Sequence, residues 1–144
     1  MAGKSAVYTF LGRALSRQGD LEGAGPFYRW MGVAVALFDK LKAIGYPTLG
    51  ASVEAPGAAE VFPHGVFHIL SGGELAKKNT PEGIEQRRAL LEGVQWGRSL
   101  DGLSKKATID ALDALAAAYA ARAIDYGDVE WLGDEREGQL VLPR

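Results

Sequence analysis

Residues 108–124 read TIDALDALAAAYAARAI, from Thr108 to Ile124, and the architecture turns on how that stretch folds. Ile109, Leu112, Ala116, Tyr119 and Ala123 recur at steps of three and four. They make one apolar stripe in a segment rich in alanine, the residue of highest helix propensity. The spacing predicts a helix from Thr108 to about Ile124, with Asp110 and Asp113 at its start. On that helix Asp113 falls at the margin of the stripe and Asp110 closer to the opposite side. After Gly127, the stretches Val129 to Leu132 and Gln139 to Leu142 read as two strands, joined as a hairpin through the polar residues Asp134 to Gly138.

Working back from the helix, Thr80-Pro81-Glu82 has the order of an N-cap, a proline at the first helical position and an acid in the first turn. A helix is expected from there to about Trp96, with Ile84, Leu91 and Val94 on its apolar side. Ala59 to Phe62 reads as a short strand closed by Pro63, and a short helix follows through Leu70 to Gly72-Gly73. Pro47, Gly50, Pro56 and Gly57 punctuate a connection. A further helix follows Gly25-Pro26, where Phe27, Trp30, Met31, Ala34, Phe38, Leu41 and Ile44 repeat at helical spacing before Gly45 and Pro47. A weaker one covers Ala6 to Arg17. Several helices with few strands give a mixed α/β chain, and 144 residues suit a single domain spanning 1–144.

The composition removes several classes of function. There is no cysteine, which excludes a disulfide framework, a thiolate metal site and a cysteine nucleophile. A net charge of −2 argues against a dedicated polyanion binder, so any nucleic-acid contact must be local. No apolar run is long enough for a membrane span and no signal peptide is read, so a cytoplasmic chain is expected. Residues 107–144 carry three basic and eight acidic side chains, whereas residues 72–106 carry seven basic and five acidic. That polarity is compatible with an acidic metal site bordered by cations, and equally with solvated helix faces.

Three groups could carry chemistry. Asp110 and Asp113, three apart, could converge on one cation, although acids in a first helical turn are also favoured by the backbone dipole. His64 and His68 are the only histidines. Spaced by four, they could ligate a metal from one helix face, or serve as a capping and a packing residue. Lys77, Lys78, Arg87 and Arg88 form a loose basic group able to hold phosphates, or an ordinary charged surface. No Gly-rich phosphate loop, dinucleotide fingerprint or nucleophile elbow is present.

In order, Ala59-Glu60-Val61-Phe62-Pro63-His64, Leu70 with Gly72-Gly73, Lys77-Lys78 with Gly83 and Arg87, Asp110-Ala111-Leu112-Asp113-Ala114, and Glu137-Gly138 before Val141-Leu142-Pro143 resemble the second half of a widespread uncharacterised family. Its members are predicted to be RNase-H-like nucleases. The likeness is good over residues 58–143 and loose over 10–57. Asp-Ala-Leu-Asp-Ala-Leu is also similar to the last helix of Holliday-junction resolvases, whose two acids belong to a metal site.

The resemblance implies an RNase-H-like fold and phosphodiester hydrolysis by two Mg²⁺ or Mn²⁺ ions held by carboxylates. Asp110 and Asp113 would be the helix acids, Glu60 a weaker catalytic candidate, and Lys77, Lys78, Arg87 and Arg88 the nucleic-acid contacts. Family members begin with a strand bearing an Asp and later carry a second such strand. Residues 1–46 offer only Asp20 and Asp39, in neither setting. The expectation is therefore a chain lacking the N-terminal strands and inactive alone, whether because its coding frame starts upstream of Met1, because it is a natural shortened relative, or because a second chain completes the sheet. A completing chain or a second copy would then cover its open sheet edge, and the alternative is a catalytically dead interaction or dimerisation module.

Overall fold

The computed structural model describes residues 26–51, 56–134 and 139–144. The Ala6 to Arg17 helix, Asp20 and the hairpin turn at residues 135–138 lie outside them. The described elements run α1 (Pro26–Ala43), β1 (Glu60–Val61), α2 (Pro63–Ser71), α3 (Pro81–Gly93), α4 (Lys105–Asp125), β2 (Val129–Leu132) and β3 (Leu140–Pro143). The fold is mixed α/β, its three strands ordered β1-β3-β2. As the central strand, β3 is buried along its whole length, and that is why Leu140 to Pro143 is continuously apolar. The Arg144 N–H donates to the Asp128 carbonyl at 3.1 Å, so the end of β3 lies beside the start of β2, the arrangement of an antiparallel hairpin.

The chain divides into two compact units, residues 1–60 with 131–140 and residues 61–130 with 141–144. In the first, α1 ends in a Schellman turn. Gly45 takes a φ of +94°, its N–H donates to Lys42, and Tyr46 donates back to Leu41 at 2.9 Å. Ala34, Phe38 and Leu41 are half-buried, as their spacing requires. Ile44 departs from the expected stripe: it lies past the helix end and is 70% exposed. Beyond α1, Thr48 and Ala58 form an isolated parallel bridge, and the Gln139 side chain accepts from the Ala51 N–H at 2.8 Å.

In the second unit α2 and α3 pack on α4 and on each other. The core contains Val66 and Phe67 from α2, Leu91 from α3, Leu112, Ala116 and Ala120 from α4, and Val141 from β3. Gly65 lets α2 lie close to β3, since a side chain there would strike Phe62 and Leu142. Three expectations are corrected. The α4 helix begins at Lys105, because the Ser104 hydroxyl caps it by accepting from the Ala107 N–H at 3.3 Å. Asp110 and Asp113 therefore lie beyond the first turn, where a helix dipole has little to offer them. The buried line is Thr108, Leu112, Ala116 and Ala120, slightly rotated from the expected stripe, with Tyr119 and Ala123 on its flank. The strand at 59–62 shrinks to Glu60–Val61, since Phe62 becomes the N-cap position of α2 and Pro63 its first residue.

Candidate phosphate site

The segment between α2 and α3 folds back onto α3 because three consecutive features of that helix hold it. Thr80 caps α3 by accepting from the Gly83 N–H at 3.1 Å and donates its own hydroxyl proton to the Lys77 carbonyl at 2.8 Å. Gly83 is buried against that carbonyl, and a Cβ there would overlap it. Gln86 brackets the segment: its amide donates to the Glu74 carbonyl at 3.0 Å and its oxygen accepts from the Ala76 N–H at 2.8 Å. Lys78 is thereby delivered to α4, where its ammonium meets the Asp113 carboxylate at 3.0 Å.

Arg87 follows Gln86 and turns inward, leaving only 2% of its surface exposed. Its Nη1 donates to the Ala76 and Gly83 carbonyls at 3.1 and 2.8 Å, and its guanidinium lies 5.5 Å from the centre of the Phe67 ring. Its Nη2 has no hydrogen-bond partner among the described residues. Such a buried donor costs about 1–3 kcal/mol if it stays unmet, and more for a charged group. Burial works against the Arg87 charge while Asp113 favours it.

His64 belongs to the same electrostatic neighbourhood. Desolvation is the first cause that lowers its pKa below the ordinary 6.5, followed by the charges of Arg87, His68 and Lys78, and Asp113 alone raises it. Lys78 and Asp113 are in contact, and His68 from α2, Lys78 from the loop, Arg87 from α3 and Asp113 from α4 all lie near enough for their charges to act on the His64 ring.

The other candidates fall elsewhere. Asp110 is exposed, and Lys77 is exposed while its carbonyl does the structural work. Arg88 is half-buried, 3.9 Å from Glu85 on its own helix. Glu60 is half-buried in the first unit, and burial raises its carboxyl above the ordinary 4.5. Among the described residues no three His, Asp or Glu side chains gather as a metal-ligating group. Among the described residues the one carboxylate of the cluster is already engaged by Lys78, so these residues do not fit a two-ion site.

Gln86 and Phe67 were not singled out by the sequence. The signal that could have found Gln86 is its place between Gly83 and Arg87, on a capped helix just after a Gly-Gly turn. A second cluster, of Trp96, Tyr119, Arg122 and Tyr126, also went unread, although Tyr119, Arg122 and Tyr126 sit at spacings of three and four.

Fold and cluster together define a mixed α/β chain that gathers cations around one helix carboxylate. The chain belongs to the family described as Protein of unknown function (DUF429), whose sequence model matches residues 8–138. That match reaches back through residues 10–57, where the resemblance was loose. No curated protein and no solved structure matches the chain. No helix among the described residues is long and apolar enough to cross a membrane.

Proposed function

We propose that the second unit recognises nucleic-acid phosphate, as a relative of RNase-H-like metal-dependent nucleases that is inactive as an isolated chain. The observation that carries this reading is the buried Arg87, whose Nη2 lacks a partner among the described residues and whose charge, like that of Lys78, acts on His64. A guanidinium with a free donor, an ammonium and an imidazole are the groups that meet phosphate oxygens. Asp113 is the one carboxylate of the cluster that a Mg²⁺ or Mn²⁺ ion could use.

The test is the binding of a single-stranded oligonucleotide in metal-free buffer. Asp113→Asn removes a negative charge and releases Lys78, so affinity should rise several-fold. A fall or no change in affinity would refute phosphate recognition at this site. Calorimetric Mg²⁺ binding that is identical in wild type and Asp113→Asn would remove the metal from the reading.

A second reading, an interaction or dimerisation module, is favoured by Val33 and Leu37 of α1. They are four apart on one helix side and 69% and 53% exposed. If copies associate there, light scattering should show a dimer or larger species that Val33→Asp with Leu37→Asp converts to a monomer. A wild-type monomer rejects it.

A further inference from the structure

Two helices of the second unit end alike. In α4, Gly127 has a φ of +68°, its N–H donates to Ile124, and Asp128 donates back to Ala123, each at 3.0 Å. In α3, Gln95 donates to Glu92 at 2.9 Å and Trp96 to Leu91 at 2.8 Å. Gln95 there takes the left-handed φ of 59°, the one such non-glycine residue among those described. These Schellman turns fix Trp96 after one helix, and Tyr126 and Asp128 on either side of Gly127 after the other.

Side chains from the two ends then assemble. The Arg122 guanidinium contacts two rings, 5.4 Å from the centre of Trp96 and 5.3 Å from that of Tyr126. Trp96 meets Tyr119 edge-on at 6.4 Å, and Arg98 lies 5.9 Å over Trp96. Beside them opens a cavity of about 260 Å³ walled by Tyr119, Arg122, Tyr126 and Asp128, with Val94 and Pro143 supplying apolar wall. Tyr126 is 72% exposed. Arg122 and Asp128 share this cavity without pairing, and neither side chain has a hydrogen bond or ion pair among the described residues.

A guanidinium is planar and carries its N–H donors in that plane, so contact with a ring does not use them up. The cleft therefore offers an exposed aromatic face, unused planar donors and an unused carboxylate. A ligand that meets all three is flat, carries adjacent N–H donors on one edge and acceptors on another. The volume is below the usual range for drug-sized ligands and suits one ring system. Guanine has this pattern: N1–H and the N2 amino group can donate to a carboxylate, while O6 and N7 accept from an arginine.

We propose that this cleft binds a single nucleobase, guanine above the others, stacked on Tyr126 with its donor edge on Asp128 and its acceptor edge on Arg122. The base comes from a free nucleoside or nucleotide or from a single strand. The site is separate from the phosphate cluster, since Arg122 follows Asp113 by nine residues and so lies half a turn round α4.

The experiment titrates the full chain with guanosine, inosine and adenosine by calorimetry, and with the single strands d(TTTTGTTTT) and d(TTTTTTTTT). The nucleosides carry no phosphate, so the outcome does not depend on Lys78 or Arg87. Guanosine should bind at least about fivefold more tightly than inosine, and adenosine more weakly still. Tyr126→Ala should weaken guanosine about fivefold or more, and Asp128→Asn should bring guanosine and inosine together. Binding by guanosine places the source among free nucleosides and nucleotides, and binding by the guanine-bearing strand alone places it in nucleic acid. Either supports the site. Failure of both to bind, equal affinity for guanosine and adenosine, or no effect of Tyr126→Ala with circular dichroism unchanged would overturn it.

Discussion

His64 is the residue through which the charged cluster around Asp113 can be read in solution. Its pKa is lowered in the folded chain, by desolvation first and then by the cations around it. Between the folded value and 6.5 the unfolded chain therefore holds a proton that the folded chain does not. Stability linked to His64 is fully present above pH 6.5 and declines as the pH falls towards the folded value. NMR titration of the His64 ring should give a midpoint below 6.5. Asp113→Asn should move that midpoint lower still, because Asp113 is the single group that raises it, and added inorganic phosphate should move it up. An unmoved midpoint in Asp113→Asn would separate His64 from the cluster. At this scale the sequence was partly legible. Helical spacing put Asp113 at the margin of the buried stripe and Asp110 away from it, and their exposures follow that order. Which of the four basic residues is buried and which meets Asp113 was not legible, because the course of the 72–80 loop decides it and no periodicity encodes that course.

At the scale of an element, α3 acts through its first two turns more than through its apolar side. Gly83 is the point where the loop and helix touch, and there the lack of a side chain is a steric need. Gly83→Ala would drive a methyl group into the Lys77 carbonyl, loosen the Thr80 and Gln86 contacts, and shift Lys78 away from Asp113. The expected cost is about 1–3 kcal/mol in denaturant unfolding, the range for overpacking a closed site. An unchanged midpoint would show that the loop yields freely. The cap at Thr80 was plain in Thr80-Pro81-Glu82, since each residue type has a separate reason to stand at its position. The start of α4 was not, because Lys105, Lys106 and Ala107 are helix formers with no apolar rhythm to extend. The Schellman ends were legible at Gly45 and Gly127, whereas Gln95 hid the end of α3 by adopting the left-handed conformation without glycine.

For the whole molecule, the mixed α/β class followed from alanine-rich helical spacing beside short β-branched and aromatic runs, both of which are local signals. The gathering of the cluster is not local, since it joins residues as far apart as His64 and Asp113 through three helices packed together. A chain of net charge −2 has no broad field to draw in a polyanion, so nucleic-acid affinity should rest on a few contacts and depend only modestly on salt. Each phosphate neutralised contributes about 0.7 to the slope of log affinity against log salt for a single strand, and about 0.9 for a duplex. Lys78 and Lys77 are neighbours with the same charge, but only Lys78 reaches Asp113. In the Asp113→Asn chain, where Lys78 is released, Lys78→Ala should therefore lower the slope by close to one contact's worth, while Lys77→Ala leaves it where it was. The comparison holds composition and net charge constant between the two variants, so a difference can arise only from where the ammonium stands. Equal slopes would return Lys78 to the ordinary charged surface and leave Arg87 without a second cation to share a phosphate.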